Sequence, residues 1–467
     1  MQNQPPLTDA VRRAASVTPS PRQLRWQELE FYGFIHFGMN TFTGREWGDG
    51  TASPALFDPQ DLDPDQWAQA AAAAGMRGLI LTCKHHDGFC LWPSRYTDYT
   101  VAASPWQGGK GDVVRQTAEA CRRAGIRFGV YLSPWDRHEA TYGSGEAYNR
   151  FYLNQLTELL TGYGELFCVW LDGACGEGPD GRVQHYDWQG WYDAVRRYQP
   201  GAVICVSGPD VRWCGNEAGH CRHAEWSVIP SELCHFSEVQ TGAGPMAQDG
   251  ELGWLYNTEQ ELGTIANILY SKGLTFTPTE INMSIRPGWF WHEKEDPHSL
   301  ERLFDTYLGS VGANACMHLN LPPNTDGLMD ERDVKCLKEF GELLKKEFGS
   351  PVPAKVEKEA GSFATQPVYT VTLEHPVSGI RYVELREDIS KGQRIESFRI
   401  TAESGSGSQY PLYQGTTVGN RKICQLQDPF ADQNPLINDM EDGICRIRIQ
   451  VTAARDEVWL KDVKIYG

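Results

Sequence analysis

The 467-residue chain contains no run of about 18 apolar residues, so no segment is long enough to span a bilayer as a helix. Met1 to Ser16 lacks an apolar stretch of the secretory kind. The sequence as written is therefore expected to stay in the cytoplasm, or to be secreted or periplasmic if a leader has been removed from it. Positive charge is in deficit, with 43 Lys and Arg against 61 Asp and Glu. The resulting formal charge of −18 argues against nucleic acid or an anionic membrane as partner. Paired cysteine spacing is missing as well: the 13 Cys are scattered, and Cys168, Cys205 and Cys316 fall inside apolar runs. That pattern suits free thiols in a reducing compartment rather than a disulfide framework. No His-x-His or Cys-x-x-Cys occurs, and His85 and His86 are adjacent. Neighbours on a strand end point to opposite sides and cannot easily bind one ion, so no metal is expected. No glycine-rich fingerprint follows the first strand, which removes support for a dinucleotide fold.

What is present suits a large barrel followed by a smaller module. Hydrophobic residues make up 40%, enough to fill a sizeable core, and 15 Trp with 19 Tyr form a heavy aromatic load. Such rings stack on the C–H faces of sugars, but also fill cores and interfaces. The first apolar run, Phe31 to Gly38, reads as a strand with His36 near its end. Alternation follows: a helix over Asp65–Gly75, a strand over Arg77–Thr82, a helix over Asp112–Ala124 and a strand over Phe128–Leu132. The pattern then predicts a helix from Ser144, as N-cap, to Gly162, a strand running into Asp172, a helix over Trp188–Tyr198 and a strand over Ala202–Ser207. Leu274–Ile285 and Ala315–Leu321 are further strands, with a helix over Leu300–Leu308 between them. Seven strands alternating with helices or long loops predict an irregular (β/α) TIM-like barrel over residues 1–350. After the helix Asp330–Phe348, Gly349-Ser350-Pro351-Val352-Pro353 breaks the pattern and the period changes to two. Residues 351–467 are predicted to form an antiparallel β-sandwich.

In a parallel barrel the chemistry sits where strands end. Cys168-Val169-Trp170-Leu171-Asp172-Gly173-Ala174 runs an apolar strand straight into a carboxylate and a small-residue turn, which makes Asp172 the first catalytic candidate; capping the next helix is the bland alternative. A second carboxylate should come from a neighbouring strand end. Glu217, in Trp213-Cys214-Gly215-Asn216-Glu217, lies after the following strand among residues able to desolvate it and raise its pKa, as a general acid needs. Glu280 and Glu46, the latter beside Trp47, are rivals for that role. Two carboxyls about 5 to 5.5 Å apart support retaining glycoside hydrolysis, one as nucleophile and one as acid and then base. His85 and His86 suit hydrogen bonding to substrate hydroxyls.

Five segments together resemble the α-L-fucosidases of glycoside hydrolase family 29. They are Phe34-Ile35-His36-Phe37-Gly38, Lys84-His85-His86-Asp87-Gly88-Phe89, Tyr131-Leu132-Ser133, Trp170-Leu171-Asp172-Gly173 and the stretch Leu319-Asn320-Leu321-Pro322-Pro323-Asn324-Thr325-Asp326-Gly327. The resemblance implies a retaining exo-hydrolase that releases terminal α-L-fucose through a covalent fucosyl-enzyme, with no metal or organic cofactor. It makes Asp172 the nucleophile and assigns substrate binding to His36, Glu46, Trp47, His85, His86, Tyr131 and Trp289. The Trp213–Glu217 segment resembles the branch acting on α-1,3- and α-1,4-linked fucose in Lewis-type glycans, and this favours Glu217 over Glu280 as acid/base, with Trp213 and Glu280 near the substrate. The expected partner is a fucosylated oligosaccharide or glycoconjugate. A broad or α-1,2-preferring fucosidase and a non-catalytic fucose-binding protein on the same scaffold remain alternatives.

Overall fold

A computed structural model of the protein describes residues 9–231, 261–360, 362–426 and 443–467. Apolar runs long enough for a strand but too short for a helix build its central sheet: β1 (Phe31–Ile35), β2 (Gly78–Lys84), β3 (Arg127–Leu132), β4 (Cys168–Leu171) and β5 (Val203–Val206). Only the exposed Arg127 interrupts their burial. Three further strands complete the sheet: β6 (Arg212–Trp213), β9 (Thr279–Ser284) and β10 (Ala315–Asn320). All pair in parallel, in the order β5-β4-β3-β2-β1-β10-β9-β6, and a parallel bridge between Cys205 and Val211 joins the two ends into a barrel. Val206, at φ 67°, turns the chain out of β5 to make that closure, a conformation that costs a β-branched residue on the order of 1–3 kcal/mol.

Helices over Pro64–Ala73, Val113–Ala124, Trp188–Tyr198, Leu300–Ser310 and Glu331–Phe348 begin on Asp63, Asp112, Asp187, Ser299 and Asp330, whose side chains accept from backbone N–H groups of the first turn. The helix predicted from Ser144 instead spans Glu146–Gly162. Its N-cap is Gly145, at φ 66°, where a side-chain cap gives way to the backbone freedom of glycine. Leu274–Ile285 is not one strand either. Pro278 separates β8 (Leu274–Phe276) from β9, and β8 pairs antiparallel with β7 (Val228–Pro230) outside the barrel. The barrel thus has eight strands where the sequence pattern shows seven. The missing one, β6, has two residues and no period to detect.

Strand alternation divides the core into two layers. Phe31, Ile35, Leu79, Leu81, Val130, Leu132, Val169, Leu171 and Ile204 pack outward against the helices. Tyr32, Phe34, Ile80, Tyr131, Cys168, Trp170, Cys205 and Cys316 fill the barrel interior. Gly33 takes the outward position between Phe31 and Ile35, where a Cβ would lie 2.7 Å from Leu79 Cδ1 and 2.9 Å from Met76 Sδ and would force those side chains to shift.

The C-terminal strands form two antiparallel sheets around a second core that includes Val371, Val383, Leu385, Ile447, Ile449 and Ile465. One sheet has the order β11-β12-β17-β14-β15: β11 is Ala354–Lys358, β12 Val368–Val377, β14 Ile395–Ser404, β15 Gln409–Gly415 and β17 Ile444–Ala454. The other has the order β16-β13-β18, with β13 at Tyr382–Glu387, β16 at Lys422–Gln425 and β18 at Leu460–Tyr466. This sandwich docks on the barrel through buried charges. Arg421 donates to Glu30 and Glu384, each at 2.7 Å, and to Tyr307 Oη at 3.0 Å, while Arg386 donates to the same two carboxylates at 2.6 and 2.7 Å. Removing one member strands the others in low dielectric. Arg421→Ala is therefore expected to lower unfolding stability by about 3–5 kcal/mol in chemical denaturation; a loss below about 1 kcal/mol, the range of exposed pairs, would show that water compensates the network.

Among the described residues all twelve cysteines are free, Cys168 and Cys205 with their sulfurs 3.2 Å apart, and no helix is long and apolar enough to cross a membrane. Cys234 lies outside the described residues.

Candidate active site

The inward alternation that fills the barrel with apolar side chains at its N-terminal end delivers polar ones at its C-terminal end. On the first strand the inward positions run Tyr32, Phe34, His36; on the fourth they run Cys168, Trp170, Asp172. They open into a cavity of about 270 Å³ whose lining includes Phe34, Trp170 and Asn282 together with His36, His85, His86, Tyr131, Asp172, Trp213, Glu217 and Trp289. The size and the apolar wall with a few convergent polar groups suit one small polar ligand.

Asp172 is partly exposed and held by both oxygens: Tyr131 Oη donates to Oδ2 at 2.9 Å and the Ala174 N–H donates to Oδ1 at 2.7 Å. Burial and the Asp172 charge push the Tyr131 phenol well above its ordinary value, which keeps it a donor. Glu217 sits at the rim, exposed as a residue but with its Oε2 accepting from Trp289 Nε1–H at 3.1 Å. Desolvation of its carboxyl raises its pKa above the usual carboxylate value, with the charges of Asp172 and Glu46 adding to the rise and the Trp289 bond opposing it. One carboxylate is thus held ready by two donors while its neighbour is pushed toward the protonated form, the division of labour that acid and nucleophile require.

The three histidines have defined tautomers. Asn320 Oδ1 accepts from the His36 backbone N–H at 3.2 Å, so it must be the oxygen, and His36 Nδ1, 2.9 Å away, must carry the proton it shares with it. Nε2 of His36 is left as an acceptor, and burial pushes the ring's pKa down to about 3. Asn40 Nδ2 donates to the Glu46 carbonyl at 3.1 Å and to His85 Nδ1 at 3.2 Å, which leaves His85 Nε2–H as a donor. Ser133 spends its proton on the Trp135 carbonyl at 2.7 Å, so its oxygen accepts from His86 Nδ1–H, also at 2.7 Å. His86 Nε2 then stands 4.0 Å from Asp172 Oδ2. The pocket offers an acceptor, a donor and an acceptor in turn, the polarity a polyhydroxylated ligand can match.

Both His85 and His86 line the cavity, contrary to the expectation that neighbours diverge. Strand regularity is lost between Thr82 and Lys84, where the register shifts, and the chain then turns, with Gly88 N–H donating to the His85 carbonyl at 3.0 Å. The two rings end 4.1 Å apart. Glu280 does not reach the cavity. Register places it level with Cys316, four residues below Asn320 on the adjacent strand, and it is fully buried. Tyr32 donates to one of its oxygens, Trp170 Nε1–H to the other at 2.7 Å, and His318 lies 3.4 Å away; these contacts outweigh burial and hold it below the ordinary carboxylate value. A buried carboxylate that does not line the cavity and has both oxygens engaged is placed to support Trp170, not to meet a substrate. Glu46 lines the cavity, yet its oxygens are occupied by the 289–292 turn: Trp289 N–H at 3.0 Å, Phe290 N–H at 3.3 Å and His292 Nε2 at 3.1 Å. Trp47 stands at the mouth, 58% exposed, with its ring edge-on to Trp135 at 5.8 Å.

The lining also includes residues that the sequence reading did not assign, among them Phe34, Trp135, Trp170 and Asn282 and the small-residue turn Gly173 to Gly176. Phe34 and Trp170 were within reach of sequence reasoning, each two positions before an inward candidate. Trp135 lies on a loop, where no period applies.

With this geometry in hand, comparison with known proteins is specific. The Alpha-L-fucosidase family profile matches residues 19–348. The chain is 41% identical over 436 residues to Alpha-L-fucosidase 1 of Arabidopsis thaliana, covering 87% of this chain and 81% of that protein. Among solved structures it is similar to a glycoside hydrolase 29 family member from an unknown rumen bacterium, with TM-score 0.81 and 35% identity over 97% of this chain and 77% of that one. It is also similar to a Ruminococcus gnavus GH29 fucosidase in complex with fucose, with TM-score 0.80 and 27% identity over 100% of this chain and 97% of that one.

Proposed function

The chain belongs to the α-L-fucosidase family, glycoside hydrolase family 29, and from that membership we propose a retaining exo-hydrolase that removes terminal α-1,3- or α-1,4-linked L-fucose from Lewis-type glycans. The observation that carries the reading is the pairing of Asp172, fixed by Tyr131 and Ala174, with Glu217, whose pKa is raised in the same cavity. Asp172 attacks the anomeric carbon as the C–O bond to the aglycone breaks, and Glu217 gives its proton to the departing oxygen. A water then enters on the Glu217 side, loses its proton to that carboxylate and displaces Asp172, so the released fucose keeps its configuration. His36 accepts from, and His85 donates to, the hydroxyls of the bound sugar, and the aromatic wall receives its methyl group. The 1,3/1,4 preference is supported by the Trp213–Glu217 segment, whose Trp213 and Glu217 both line the cavity.

Fucose release from a nitrophenyl fucoside, 2′-fucosyllactose and a Lewis-type trisaccharide tests the whole reading. Release far faster from the Lewis sugar is expected. Preference for the 1,2 linkage would overturn the linkage assignment, and no release from any substrate would overturn hydrolysis.

The proton inventory gives a second test. Trp289→Phe keeps an aromatic ring but deletes the donor that favours the ionised form of Glu217. Glu217 should then hold its proton to higher pH, so the basic limb of kcat/KM should move up, while the acid limb stays in place. A basic limb that stays or moves down would contradict the assignment of Glu217 as the acid.

A further inference from the structure

The Leu319-Asn320-Leu321-Pro322-Pro323 stretch does not line the cavity, yet its Asn320 fixes the His36 tautomer. Asn320 ends β10 on the inward side, is fully buried, and uses every hydrogen-bonding capacity of its amide. Its oxygen accepts from the backbone N–H and from Nδ1–H of His36 at 3.2 and 2.9 Å. Its nitrogen donates to Ser284 Oγ at 2.9 Å and to the Trp289 carbonyl at 2.7 Å. Ser284 passes its own proton to the Gly288 carbonyl at 2.7 Å, one residue before Trp289. Two of these partners, a backbone N–H and a backbone carbonyl, have no choice of role, so they fix which end of the amide is oxygen.

We infer that Asn320 is a positioning residue that couples the two halves of the site, setting His36 to present an acceptor to the sugar and seating the Trp289 turn whose indole holds Glu217. The catalytic arm of this inference rests on the reading of Glu217 as the acid; the sugar-binding arm does not. Among the side chains described above, Asn320 alone hydrogen-bonds both the first-strand histidine and the Trp289 turn; His85 meets both only through ring contacts, with His36 at 5.6 Å and Phe290 at 5.1 Å. His36 without Asn320 Oδ1 is free to swap tautomer, and Nε2–H would then meet the sugar as a donor where an acceptor is wanted. The Trp289 turn without the amide nitrogen keeps its Glu46 clamp on one side only, and the Nε1–H that holds Glu217 loses its registration. A displacement of about 1 Å at such a group costs roughly 100-fold in rate.

The experiment compares Asn320→Ala, Ser284→Ala and Glu217→Ala with the unaltered enzyme on a nitrophenyl fucoside, whose leaving group needs little protonation, and on a Lewis-type trisaccharide, whose leaving group needs it fully. Fucose affinity is measured in parallel by calorimetry. Asn320→Ala should weaken fucose binding tenfold or more and lose roughly 100-fold more on the trisaccharide than on the aryl fucoside. Ser284→Ala perturbs only the Trp289 side, so it should show the leaving-group dependence at roughly tenfold with fucose affinity within about twofold of the original. A merely structural role would lower activity equally on both substrates. Unchanged fucose affinity in Asn320→Ala, or equal losses on both substrates in Asn320→Ala and Ser284→Ala while Glu217→Ala shows the dependence, overturns the inference. If Glu217→Ala itself shows no dependence, the acid assignment has failed, and the fucose affinity of Asn320→Ala decides the sugar-binding arm alone. Should Asn320→Ala not fold, Ser284→Ala decides the Trp289 arm by its leaving-group dependence, and the fucose affinity of Asn320→Leu, close in size but without the amide, decides the His36 arm: a tenfold loss supports it and unchanged affinity overturns it.

Discussion

Asp172→Ala is expected to lower kcat on an aryl fucoside by roughly 10⁴- to 10⁶-fold, the scale of removing a covalent nucleophile, while leaving the fold intact. The structural reason for intact folding is that Asp172 lies at a strand end and its two hydrogen-bond partners, Tyr131 Oη and the Ala174 N–H, belong to residues lining the open cavity, where water can take the place of the carboxylate. The kinetic reason for the loss is that no other carboxylate can take its place. Glu280 is buried beneath Trp170, and Glu46 is engaged by the 289–292 turn. Azide should restore part of the activity, because the truncated side chain leaves room for a small anion on the face from which Asp172 attacks. The product must then be the β-fucosyl azide, with inverted configuration, formed in a single displacement while Glu217 still protonates the leaving group. Product configuration read by NMR separates this outcome from any other. An α-configured azide, or activity near that of the unaltered enzyme, would remove Asp172 from the nucleophile role.

The legibility of this site in the sequence follows from where periodicity operates. Asp172 and His36 each follow a regular strand by one residue, so a period of two, counted on from Trp170 and Phe34, points both inward without any structure. The same rule fails for His85 and His86, because a register shift at the end of β2 resets the alternation just before them. It cannot rank Glu280 against Glu217 either. Both belong to sound candidate segments, and what separates them is height along the barrel axis, which depends on inter-strand register: Glu280 pairs with Cys316, well below Asn320. Single-chain periodicity contains no register between distant strands. Glu46 shows a different limit. Its position beside Trp47 near the mouth is correct, but the three donors that occupy it come from residues more than 240 positions away. Fold class was legible because alternating strands and helices admit few arrangements, whereas a two-residue strand such as β6 offers no pattern at all.

Glu217→Ala is expected to produce a loss that depends on what is being expelled. With a Lewis-type glycan the departing oxygen belongs to a sugar hydroxyl, a poor leaving group without a proton, and the first step should slow by roughly 10³-fold or more. With a nitrophenyl fucoside the departing phenolate needs little help, so the fucosyl-enzyme should form at nearly its original rate, and turnover should be limited by the second step, where the general base is missing. A burst of nitrophenol equal to the enzyme concentration should therefore precede slow turnover. Azide, which needs no base, should accelerate that turnover by attacking the intermediate on the side Glu217 vacates, giving the α-fucosyl azide with net retention. The two variants thus yield azides of opposite configuration, a distinction that misfolding or contamination cannot imitate. The neighbours of Glu217 give a reason to expect the effect here and not at Glu280. Its carboxyl lines the cavity with one oxygen on the Trp289 indole, and desolvation raises its pKa, the direction a general acid needs. If Glu280→Ala shows the burst and the azide response while Glu217→Ala slows both substrates alike, the acid assignment is wrong.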